Sequence, residues 1–163
     1  MRSKIPALFL LLAGGCHSSS DSESEAPFLV VNLGLTAQQV FGTGELRLVA
    51  VSEAAEGRDL DGDGDEADVV MHVLDVGSGT LTNTELALPR FRDGVAQPEF
   101  LCNDSLGVFQ ASEEETRRDL DEDGILGEVT TWIYDRRSRE LRNLGFAHFT
   151  LLLDGDLAVL QGL

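Results

Sequence analysis

Basic residues are scarce in this chain: 12 Lys and Arg stand against 29 Asp and Glu, a formal net charge of −17. A surface of that sign repels nucleic acid and anionic lipid headgroups, and it attracts cations. Soft-metal ligands are also few. The 3 histidines, His17, His72 and His148, stand apart without ligand spacing, and there are only 2 cysteines, which excludes an ordinary zinc site. No GxSxG, HExxH, P-loop or GxGxxG pattern occurs, so no catalytic motif is present and no enzyme is expected. The apolar stretch from Ile5 to Ala13 is far short of the roughly 20 residues that span a bilayer core. Hydrophobic residues still make up 42% of 163 residues, enough for one cored domain and too many for wholesale disorder.

At the N-terminus, Arg2 and Lys4 form a charged n-region, Ile5 to Ala13 a short apolar h-region, and Gly14-Gly15-Cys16 follows. This is the plan of a removable export signal over residues 1–15. The stretch Ala13-Gly14-Gly15-Cys16 resembles the lipobox of bacterial lipoproteins, where cleavage before a cysteine leaves that cysteine carrying lipid. The resemblance implies lipidation at Cys16, attachment to a membrane through that lipid, and a place in the cell envelope at the outer membrane or cell surface. Ala13 and Gly15 also satisfy the small-x-small rule for ordinary cleavage at the same bond, so plain secretion is the alternative. Residues 16–26, polar and low in complexity, read as a tether. Removal of Arg2 and Lys4 leaves 10 basic residues against 29 acidic ones, a net −19. With Cys16 lipidated, Cys102 has no partner in the chain, and its apolar neighbours Phe100 and Leu101 suggest a buried, inert thiol.

Residues 46–83 and 106–143 align without a gap at an offset of 60, with 14 of 38 positions identical. The shared residues include Ser52-Glu53 and Ser112-Glu113, Asp75 and Asp135, Ser78 and Ser138, and Asn83 and Asn143. Identity at this level within one chain is the mark of duplication. Asn32-Leu33-Gly34 echoes Asn143-Leu144-Gly145, and Leu157, Val159 and Gln161 echo Leu106, Val108 and Gln110. These spacings give a period of 51, with nine extra residues at the middle junction, where the stretch 89–100 reads as a surface loop.

Inside each period, short β-branched and aromatic runs alternate with Gly-, Asp- and Ser-rich turns, which predicts about four strands and no helix. Four strands in about 50 residues is the pattern of a propeller blade. The passages 69–83 and 131–143 resemble the strand–Asp–turn–strand passage of kelch and TolB-like propellers. The resemblance implies an all-β domain over residues 27–163, built from antiparallel four-stranded units stacked as blades. Only two full repeats and flanking strands are present, whereas closure takes at least about four blades. An open β-array, an oligomer or a fragment of a longer protein is expected, with a small β-sandwich as the other all-β reading.

Between the second and third strands of each repeat lies an acidic cluster with the common frame D-L-D-x-D-G-x-x-x-[DE]. The first supplies Asp59, Asp61, Asp63, Asp65 and Asp68, and the second Asp119, Asp121, Asp123 and Glu128. Carboxylates at alternate positions of a curling loop can converge on one hard cation, and the glycine permits the sharp turn. The seventh position would contribute a backbone carbonyl, so its side chain is free to vary, as Asp65 and Ile125 do. The frame resembles the first half of an EF-hand loop and the DxDxDG loops of calcium-binding β-repeats. It departs from the EF-hand at position 12, where Val70 and Thr130 replace the bidentate Glu. Two Ca²⁺ sites are expected; Mg²⁺ fits less well because it demands tight octahedral geometry. Ser52-Glu53 and Ser112-Glu113, repeated just ahead of the loops, are expected to close them.

The resulting expectation is an exported, lipid-anchored calcium-binding β-repeat protein with a structural or binding role. Its partners would be the membrane through Cys16, an unidentified protein or glycan ligand, and further copies of itself through open sheet edges; nucleic acid is excluded by charge. A fragment of a propeller enzyme, or a truncated paralogue without its own activity, is the alternative.

Overall fold

The computed structural model describes residues 32–90, 100–145, 149–154 and 157–162. The stretches read as an export signal and a tether, with Cys16, His17 and His148, lie outside the described residues, as does most of the expected surface loop. The fold is all-β. Strands β1 (Ala37–Phe41), β2 (Leu46–Ser52), β3 (Val69–Asp75) and β4 (Thr80–Ala87) form one four-stranded antiparallel sheet in chain order. Strands β5 (Leu101–Cys102), β6 (Leu106–Ser112), β7 (Val129–Asp135) and β8 (Glu140–Asn143) form a second sheet in the same order. A hairpin of β9 (Phe149–Asp154) and β10 (Leu157–Gly162) follows. The pairings of Leu46 with Asp75 and Ser52 with Val69 recur as Leu106 with Asp135 and Ser112 with Val129.

Two short helices depart from the expectation of none: α1 (Glu53–Glu56) and α2 (Glu113–Thr116), each directly after the second strand of its sheet. Each is a single turn, too short for a 3.6-residue period to show. Ser52 and Ser112 cap them, their Oγ atoms accepting from Ala55 N at 3.4 Å and Glu115 N at 3.3 Å. The turns end in the left-handed region, at Gly57 in the first copy and at Arg117 in the second.

The two sheets pack face to back. Leu46, Leu48, Ala50, Met71 and Val73 of the first sheet share a core with Phe109, Ala111 and Tyr134 of the second. The first-copy counterparts of those last three, Val49, Val51 and Leu74, lie in a separate cluster with Leu60 and Val70, packed against Leu33 and Leu35. Opposite faces therefore meet at the seam, the arrangement by which repeats stack in one direction. Each fully buried Leu, Val or Phe adds about 1.5–3 kcal/mol, and Leu46, Leu48, Val73 and Phe109 are all at most 1% exposed. A Cβ on Gly107 would lie 2.9 Å from Leu48 Cδ2, so the missing side chain lets β6 approach the first sheet closely.

Polar contacts also cross the seam, most of them from positions where the copies differ in sequence. Arg136 grips Asp75 with two hydrogen bonds, Nε to Oδ2 at 2.9 Å and Nη2 to Oδ1 at 3.1 Å, and its first-copy counterpart is Val76. That guanidinium holds the Asp75 carboxyl down at about 2. Thr116 Oγ1 accepts from Ala87 N at 3.2 Å, and Arg118 donates to the carbonyl of Glu85. Cys102 is half-buried; its Sγ donates to Leu46 O at 3.3 Å, and burial pushes the thiol up to about 11, so it is unreactive at neutral pH.

Candidate metal centre

Each acidic loop runs from the end of a one-turn helix to the third strand of its sheet, so strand pairing fixes both of its ends. Glu53, wholly buried, staples the first loop. Its Oε1 accepts from Leu60 N at 2.6 Å and Asp61 N at 3.3 Å, and its Oε2 accepts from Asp68 N at 3.0 Å. Glu113, equally buried, does the same in the second loop, accepting from Leu120 N at 2.7 Å and Glu128 N at 3.3 Å. Asn83 and Asn143 add a second tie, Nδ2 donating to the carbonyls of Leu60 at 2.6 Å and Leu120 at 2.7 Å. Glu53, Asn83 and their counterparts are among the residues identical in the two copies, and the staple accounts for that identity.

The aspartates then curl the chain. Asp59 accepts from Gly62 N at 2.6 Å and Gly64 N at 3.0 Å, and the first of these does most to hold its carboxyl below the usual range. Asp61 Oδ1 accepts from Asp63 N at 3.2 Å, Asp63 Oδ1 from Asp65 N at 2.9 Å, and Asp65 Oδ1 from Ala67 N at 2.8 Å. In Asp61, Asp63 and Asp65 such a turn uses one carboxylate oxygen and leaves the other free of the turn. The second loop repeats the series, with Asp119 accepting from Gly124 N at 2.8 Å, Asp121 from Asp123 N at 3.3 Å and Asp123 from Ile125 N at 2.7 Å.

The carboxylates do not meet at a single point. In the first loop Glu53 joins two groups, one with Asp59 and Asp61 and one with Asp65 and Asp68, each with ligand atoms within 4.8 Å of one another. In the second loop the groups are Glu113 with Asp119 and Asp121, and Asp121 with Asp123 and Glu128. Oxygens that share one Ca²⁺ at about 2.4 Å lie no more than about 4.8 Å apart, so either group can start a coordination shell. Asp63 joins neither group in its loop; its side chain is turned to Arg117. Ile125 offers only its carbonyl, and its side chain is exposed.

Burial separates the loops. Asp61 and Asp68 are 4% and 3% exposed, whereas Asp121 is half-buried and Asp123 and Glu128 are exposed. The Oδ2 atom of Asp61 is buried without a hydrogen-bond partner, and that of Asp63, also buried, is met by an ion pair with Arg117 Nε at 3.1 Å. Burial raises the Asp61 carboxyl to about 6, and nearby Glu53, Asp63 and Asp68 push the same way. An ionised carboxylate left in that state costs several kcal/mol of desolvation, which a bound cation would offset. At the seam, burial and a hydrogen bond with Asp68 raise Glu115 to about 7, although Arg90 bridges both carboxylates.

These shifts set a pH dependence. Asp61 and Glu115 have folded values of about 6 and about 7 against ordinary values of 3.8 and 4.5. The folded state binds their protons more tightly than the unfolded state, so stability is greatest below about pH 4 for these groups and is lost as pH rises through 6 and 7. Without divalent ions, these two groups are expected to lower the denaturation midpoint between about pH 4 and pH 7. A midpoint that stays flat or rises over that range contradicts the burial of these acids.

His72, the one described histidine, is buried with Nδ1 3.2 Å from Val70 O, and burial lowers its pKa; it joins none of the carboxylate groups. The frame read from the sequence contains neither Glu53 nor Glu113 as a ligand, although their repetition ahead of each loop marked them as closing residues. Arg117 carried no such mark, because the copies differ there. No protein-family model matches this chain, and neither a curated protein nor a solved structure does.

Proposed function

We propose that this chain is an exported, lipid-anchored, calcium-binding β-repeat protein with a structural or binding role, its four-stranded units stacked in the manner of propeller blades. The observation that carries the calcium reading is Asp61: a carboxylate 4% exposed, with one oxygen unpartnered, among the carboxylates of Glu53, Asp59 and Asp68. Oxygen-only donors without His or Cys select a hard cation, and carboxylates split into two groups rather than set at one octahedral point favour Ca²⁺ over Mg²⁺. Both groups of the second loop are likewise carboxylates alone.

The ion would act as a fastener. It would bind the folded loop only, joining the helical turn that follows β2 to the start of β3, so its binding energy would add to folding. Asp61→Ala and Asp121→Ala are each expected to remove about half of the thermal stabilisation given by millimolar Ca²⁺; an undiminished shift in both variants would return the loops to solvated acidic turns. The anchor rests on the sequence around Cys16. The protein is expected to partition with membranes and Cys16→Ser to release it or block its processing; a soluble protein with a free Cys16 thiol contradicts the anchor.

A further inference from the structure

We infer that Arg117 is a built-in counter-ion of the first acidic loop, and that a divalent cation that draws the Asp63 or Asp65 carboxylate into its shell beside Asp61 must displace it, so the two loops bind with unequal affinity. The inference rests on the calcium reading above. Arg117 ends α2 with φ 52° and ψ 31°, a left-handed conformation that disfavours any residue bearing a Cβ. The first copy places Gly57 at this position, with φ 67° and ψ 39°. An arginine therefore stands where the backbone prefers glycine, and its side chain crosses the seam into the other repeat.

There it meets the first loop in three ways. Nε lies 3.1 Å from Asp63 Oδ2, Nη1 donates to Asp63 O at 3.1 Å, and Nη2 bonds the Asp65 carboxylate. The Asp63 side chain is 1% exposed, so Arg117 is the cation that faces a buried charge. A guanidinium does not lose its proton in the accessible range, so it leaves only by moving. The way out is open, because the Arg117 side chain is 57% exposed. Arg117 does not satisfy the loop: Asp61 Oδ2, in a residue 4% exposed, is buried without a partner beside it. Arg117 on Asp63 and Asp65, with Arg90 on Asp68, thus leaves the Asp61 end of the cluster uncompensated, and a divalent ion would compensate more. Among the described residues, no arginine or histidine pairs with Asp119, Asp121, Asp123 or Glu128 of the second loop. Among those residues the second loop has no resident cation to give up.

The test is calorimetric titration of Ca²⁺ into the protein and into Arg117→Gly, a change that suits the left-handed backbone and matches the first copy. The event abolished by Asp61→Ala is expected to tighten about fivefold in Arg117→Gly, while the event abolished by Asp121→Ala stays as it was. Arg117→Lys, which keeps the charge but loses the fork, is expected to fall between. Equal first-loop affinity in wild type and Arg117→Gly, or weaker affinity in the variant, overturns the inference while leaving calcium binding standing. No binding heat in any of the proteins overturns the calcium reading and this inference with it.

Discussion

Glu53→Ala is expected to lower the stability of the calcium-free protein by about 3 kcal/mol, the largest effect of any single substitution in the first loop. The side chain is wholly buried and accepts from three backbone N–H groups, those of Leu60, Asp61 and Asp68. Two of the donors belong to residues 4% and 3% exposed, so water cannot replace the lost acceptor cheaply. Removing a charge from among Asp61 and Asp68 relieves some repulsion, but orphaning buried donors at about 1–3 kcal/mol each outweighs it. Glu53→Gln keeps the shape and one carbonyl acceptor, and should cost about 1 kcal/mol. Glu113→Ala should cost about half as much as Glu53→Ala, because Leu120 is half-buried and Glu128 exposed. Denaturant melts of the three variants in EDTA measure this. A Glu53→Ala midpoint indistinguishable from wild type would mean that the staple contributes nothing.

Calcium should have an effect of similar size and opposite sign. The first loop holds six acids in ten residues and the second holds five. Folding gathers these charges against their mutual repulsion, and an ion bound to the folded state alone removes the penalty. The missing acid at position 12 points to affinities of about 10⁻⁵ to 10⁻³ M, the range of extracellular modules. At a Kd of about 10 μM and about 1 mM Ca²⁺, each site would contribute about 2.7 kcal/mol. The melting temperature should rise with Ca²⁺, fall with EDTA and respond much less to Mg²⁺. An equal response to Mg²⁺ would indicate general charge screening rather than a shaped site.

Much of this arrangement is legible in the sequence, and the parts that are not have physical reasons. Short runs of strand formers such as Val69 to Leu74 and turn residues such as Asp75 and Ser78 mark the strands, because a pleated strand and a tight turn each demand particular side chains. The placement of the loops between the second and third strands follows from the same pattern. The helical turns after Ser52 and Ser112 do not show, since four residues cannot display a helical face. The gathering of carboxylates around Glu53 is hidden because that residue sits six positions ahead of Asp59, and only the fold brings it to the loop. Seam residues are hidden for a different reason: Arg117 and Arg136 replace Gly57 and Val76, so comparison of the copies shows a difference there and not what each arginine reaches.

The central claim is that folded acidic loops bind calcium, and isothermal titration of Ca²⁺ into the EDTA-stripped protein tests it most directly. The account predicts two events of about 10⁻⁵ to 10⁻³ M, lost one at a time in Asp61→Ala and Asp121→Ala, with affinity weakening as Asp61 protonates below about pH 6. Absence of binding heat at millimolar Ca²⁺, together with an unchanged melting temperature, would contradict it.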